Sequence, residues 1–138
     1  MIRSVPLDEV RLQRIKNASS GYHGVWEIDA DYITEAVAAD ERPFFPYMLL
    51  CADHDSGFIL ATVLAHPSTW ESEFSKTFLD SLDQRKLLPE KLWLRKEPLR
   101  ALFEPSAARL GVAVEMTSKL TAVTHARREF EKFTKKRR

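Results

Sequence analysis

Two acids beside a histidine have the type and placement to do chemistry in this chain. Asp53-His54-Asp55 offers three potential ligands in a row, open to a divalent ion or to acid–base work. The turn reading is the stronger one, because adjacent residues in a tight turn point different ways. Asp, Ser and Gly in Asp53–Gly57 are also what a turn uses for its own backbone hydrogen bonds. His23, His54, His66 and His125 show no pair at the i, i+4 spacing of a helical metal motif, and there is no glycine-rich phosphate loop or nucleophile elbow. The expectation is no catalytic residue, no resident metal and no cofactor. Magnesium or manganese enters only if the chain is a metal-dependent nuclease.

Charge supplies the second kind of chemistry. The formal net charge is +1, yet Arg127, Arg128, Lys132, Lys135, Lys136, Arg137 and Arg138 face only Glu129 and Glu131, a net of +5 for residues 126–138 that leaves −4 for the rest. Such a tail can neutralise phosphates and bind nucleic acid in a salt-sensitive way. A solvated helix end whose cations complement the C-terminal dipole is the commoner meaning of so short a run. Weak nucleic-acid binding through those seven residues is the partner expectation, and self-association through sheet or helix faces is a second.

The elements that must position these groups are legible from periodicity. Leu7–Asn17 suits a short, mostly exposed helix opening near Asp8, and Val25–Asp29 alternates as a first strand. Tyr32–Ala39 suits one or two helical turns, and Arg42-Pro43 with Pro46 marks a loop. Tyr47–Ala52 is apolar throughout, as a strand covered on both faces must be, and Phe58–Leu64 returns from it as a hairpin around Gly57. Ser68-Thr69-Trp70-Glu71 has the spacing of a capping box, and Phe74, Phe78 and Leu82 repeat on one face of a helix over about 69–85. Lys91–Arg95 reads as a short buried strand. Pro98 then opens a helix carrying Leu99, Leu102, Phe103 and Leu110, which Pro105 should kink or divide and Gly111 should close. Val112–Met116 is the last strand, and Leu120, Val123, Ala126, Phe130 and Phe133 mark an amphipathic C-terminal helix. Trp70 and Trp93 are expected to pack, with Trp26 nearer a sheet edge.

A hairpin followed by alternating helices and strands implies one α/β domain with a five-stranded mixed sheet, since parallel strands need crossovers. At 138 residues, 44% apolar and 30% charged, one core is expected over residues 1–138, with 1–23 as a helical N-terminal extension and 132–138 as a basic tail. The lone Cys51 excludes an intramolecular disulfide and suits a reducing compartment. No stretch approaches the roughly 20 apolar residues of a membrane span. A cytoplasmic protein is expected.

Trp26-Glu27-Ile28-Asp29, the hairpin with Asp53-His54-Asp55-Ser56-Gly57, Leu92-Trp93-Leu94 and Leu110-Gly111-Val112-Ala113-Val114 together resemble the catalytic core of retroviral integrases and transposases, which is RNase H-like. More closely, residues 25–125 are similar to an uncharacterised bacterial domain family with a Trp-x-x-Asp start. The resemblance implies a first metal-binding Asp at Asp29, a second after the fourth strand and a Glu on the last helix, for which Glu129 is the candidate. At the second position this chain has Arg95-Lys96-Glu97. A cation beside a would-be dication site costs Coulomb energy, so the strand-transfer chemistry of the family is expected to be lost. The resulting reading is a non-catalytic binding or interaction module on a degenerate scaffold, with a metal-dependent nuclease as the alternative.

Overall fold

The computed structural model describes residues 5–33, 37–39 and 42–136. In chain order its elements are α1 (Glu9–Ala18), β1 (Gly21–Tyr22), β2 (Val25–Tyr32), β3 (Val37–Ala39), β4 (Arg42–Phe44), β5 (Tyr47–Asp53), β6 (Ile59–Ala65), α2 (Trp70–Asp83), β7 (Leu87–Leu88), β8 (Lys91–Leu94), α3 (Glu97–Leu110), β9 (Ala113–Met116) and α4 (Thr121–Lys136). A five-stranded mixed sheet runs β6-β5-β2-β8-β9, antiparallel through β6, β5 and β2 and parallel from β2 to β9. The expected α/β domain, hairpin and alternation are therefore present. Two small pairs flank the sheet, β1 with β7 and β3 with β4.

The sheet separates two apolar layers. On one face Trp26, Ile28 and Ala30 of β2 join Phe74, Phe78, Leu92, Leu94, Leu99 and Phe103 beneath α1, α2 and α3. The other face holds a smaller cluster, in which Met48, Leu50 and Ala52 of β5 meet Leu120, Ala122 and Val123 at the start of α4. Burial on both faces explains why β5 has no polar residue before Asp53. Asp8 caps α1 through Arg11 N–H, and Leu12 and Ile15 seat that helix on the body while Val10 faces solvent.

Five local expectations differ from what forms. Tyr32 ends a strand, and Val37–Ala39 pairs with Arg42–Phe44 as a hairpin where helical turns and a loop were read. Thr34, Glu35, Ala36, Asp40 and Glu41 of that stretch lie outside the described residues. The start of α2 is set by Thr69, whose hydroxyl bonds Glu73, while Ser68 turns back to His66; no capping box forms because the helix begins one residue later. Pro105 does not divide α3. Trp26 is 4% exposed in the middle strand, not at an edge. Among the described residues no helix is long and apolar enough to cross a membrane.

Candidate functional site

Strand alternation sends Glu27, Asp29 and Asp31 of β2 to the α4 side of the sheet, opposite Ala52, Leu50 and Met48 in register. Glu27 and Asp29 are buried and Asp31 half-buried. Three carboxylates on one face of a central strand would repel one another and resist burial unless cations or donors met them. Each one is met.

The middle acid is neutralised by the loop after β8. Parallel register sets Trp93 abreast of Glu27, so Arg95 arrives abreast of Asp29. Arg95 Nη2 lies 2.5 Å from Asp29 Oδ2, and Lys96 Nζ lies 3.5 Å from Asp29 Oδ1 and 3.0 Å from Asp31 Oδ1. Lys96 also donates to the Ala30 carbonyl. From above, Arg127 of α4 pairs with Asp31 Oδ2. Burial pushes the Asp31 carboxyl up, but the bonds from Lys96 and Arg127 outweigh it and hold it below its ordinary range. The same bond raises Arg127 despite its desolvation. Nearby, burial, aided by Tyr32, Asp29 and Asp31, pushes the Tyr47 phenol up to about 12. Arg95, Lys96 and Arg127 exceed Asp29 and Asp31 by one positive charge, and no water-sized space is left in the crevice that Asp29, Asp31, Arg95 and Arg127 share with Met48, Leu50 and Val123.

Glu27 forms a second centre. Its Oε1 accepts the Val123 N–H at 3.1 Å, in the first turn of α4, and its Oε2 is 2.6 Å from His54 Nδ1. The imidazole meets Trp93 edge-on at 4.6 Å, and the indole donates to Glu115, itself 3.1 Å from Lys91. Sequence reasoning missed Glu27 and Asp31. The signal was the alternation begun at Val25, which continues through Ala30 and Asp31.

The remaining candidates do not converge. Asp53 accepts the Ser56 N–H and hydroxyl at 2.9 and 2.7 Å as a turn cap, bonds that outweigh its desolvation and keep its carboxyl below the ordinary range. It stands opposite Trp26, three residues or roughly 10 Å along the strand from Asp29. Asp55 is exposed on the hairpin, and Glu129 is exposed on α4, 3.7 Å from Lys132. Asp53, His54 and Asp55 thus take three separate environments. Among the described residues no group of three or more His, Cys, Asp or Glu is placed to hold a metal ion. A dication does not fit beside Asp29, where Arg95 and Lys96 already stand. Of the basic residues, Arg127 turns inward while Arg128 and Lys132 are exposed. Lys135 and Lys136 lie in the last turn of α4, and Arg137 and Arg138 lie outside the described residues.

The fold is similar to solved integrase cores. The catalytic core domain of BIV integrase matches with a TM-score of 0.55 at 14% identity, covering 75% of this chain and 64% of that one. The HTLV-2 integrase catalytic core domain, solved in complex with magnesium, matches with a TM-score of 0.54 at 12% identity, covering 79% and 67%. The chain thus spans less than two thirds of the BIV core. At these identities the likeness is one of fold, the RNase H-like architecture. No curated protein matches in sequence. The profile of one family, described as "Domain of unknown function (DUF6930)", matches residues 11–131, and the chain belongs to that family.

Proposed function

We propose that this chain is a non-catalytic binding or interaction module on a degenerate integrase-like scaffold. The observation that carries the reading is the guanidinium of Arg95 held against Asp29 at 2.5 Å, in the place where a two-ion centre would need a second acid. The contact for a partner is the outward face of α4 and the residues after it. Arg128 and Lys132 are exposed there, and Lys135, Lys136, Arg137 and Arg138 continue the run. Arg127 is committed to Asp31, so the exposed set is smaller than the tail's formal charge implies. Weak, salt-sensitive nucleic-acid binding is the partner class this supports. The lone Cys51, buried in the core, fits a cytoplasmic setting, and the family resemblance points to a bacterial one.

Purified full-length chain incubated with labelled DNA and magnesium or manganese is expected to leave the DNA intact. Cleavage that disappears in Asp29→Asn would overturn the reading in favour of the nuclease, with Asp29, Asp53, Asp55 and Glu129 as its acids. Deleting 132–138 is expected to abolish low-salt retention on heparin, and unchanged retention ends the nucleic-acid part.

A further inference from the structure

We infer that two copies of this chain join through the outer edge of β6, which pairs antiparallel with its own counterpart about a twofold axis at Thr62. The contact stands apart from the question of catalysis, since it draws on neither the acidic row of β2 nor the basic tail.

The edge itself calls for a strand. β6 and β9 are the outermost strands of the five-stranded sheet, and among the described residues no further strand pairs with either. An outermost strand presents a row of unpaired amides and carbonyls, which natural edges blunt with charge, proline or short length. β9 is blunted in two ways, being four residues long and carrying Glu115. β6 has none of these defences: Ile59–Ala65 is seven residues long, with no charge and no proline. Apolar side chains on and beside it also meet solvent, Phe58 being 75%, Leu64 50% and Ile59 43% exposed. Register with β5 sets Leu64 beside Met48 and Thr62 beside Leu50, so Leu64 carries the smaller apolar layer past its buried margin.

A second copy is the occupant this edge fits. In an antiparallel pair centred on Thr62, Ile59 faces Ala65, Leu60 faces Leu64, Ala61 faces Val63 and Thr62 faces itself. The whole strand is paired, and no charge is set against another. Twofold pairing uses the same patch on both sides and so closes, while the blunted β9 edges stop the joined sheet from growing further. The strand is about 24 Å long, and a depth of roughly 20 Å, one layer spacing on each side of the sheet, gives on the order of 500 Å² per copy. A total of about 1,000 Å² lies at the low end of specific interfaces. The dimer is therefore a weak one.

Sedimentation of the full chain over a concentration series tests this. The unaltered chain is expected to pass from monomer to dimer at protein concentrations on the order of tens of micromolar. Thr62 is exposed, so Thr62→Lys should keep the fold, checked by circular dichroism. It sets two like charges face to face across the axis and should weaken association roughly tenfold or more. Thr62→Glu alone should do the same, and an equimolar mixture of the two variants should restore the dimer, because residue 62 meets its own counterpart. A chain that stays monomeric to about 300 μM overturns the proposal and leaves the edge to a strand of another protein. So does a dimer that Thr62→Lys leaves intact, or one that the mixture fails to restore.

Discussion

Arg95 and Asp29 meet at 2.5 Å because β8 runs parallel to β2 with Trp93 abreast of Glu27, which brings the residues two steps further on alongside each other. The pair is a product of register, and a slip of either strand against the other would break it. Arg95→Ala leaves a buried carboxylate with Lys96 at 3.5 Å as its nearest cation. The expected cost is about 1–3 kcal/mol, read from urea denaturation. Asp29→Asn should cost less, since the cations it frees are partly solvated.

Glu27 bridges three elements, and its loss should be felt in all of them. Glu27→Ala strands the Val123 N–H and removes the partner of His54, with an expected cost of about 2–4 kcal/mol. In a double-mutant cycle with His54→Ala the two changes should be less than additive, by about 1 kcal/mol. Strict additivity would show that the imidazole and carboxylate do not support each other.

Acid should weaken the α4 side of the sheet. The Asp31 carboxyl is held below its ordinary value by Lys96 and Arg127. Its contribution is therefore present above the unfolded value and disappears as pH falls through the folded one. Denaturation midpoints measured from about pH 5 downward should fall less steeply in Asp31→Asn than in the unaltered chain. Equal slopes would remove Asp31 from the account.

Gly111 ends α3 with φ at 75°, and a Cβ there would stand 2.9 Å from the Tyr22 hydroxyl, which donates to the Leu110 carbonyl at 2.6 Å. Gly111→Ala should cost about 1–2 kcal/mol for the left-handed backbone alone, and more for the clash. Adding Tyr22→Phe removes the hydroxyl and should recover the clash portion. The double variant would then melt higher than the sum of the single losses predicts.

The hairpin, the two crossovers and the five-stranded sheet were legible because each rests on unbroken apolar periodicity. The centre of the site was legible only in part. Asp29 and the cations at Arg95-Lys96 stood out against a family resemblance, whereas Glu27 and Asp31 needed the strand to be followed to Tyr32. Reading a helix from that point hid the row. Tyr32–Ala39 mixes residues that either structure accepts, and the pairing of Val37–Ala39 with Arg42–Phe44 decided it. That Pro105 does not divide α3 has another reason. A proline costs a helix one backbone bond and some crowding, and the packing of Leu102, Phe103, Ala107 and Leu110 in the core offsets that.

Cys51 lies on the face of β5 turned toward the main core, fully enclosed, and burial drives its thiol well above the ordinary range. A thiolate is the reactive form, so alkylating reagents should find nothing to modify while the strands stay paired. The side chain is therefore a built-in clock for dissolution of the entire sheet: its labelling rate reports global unfolding.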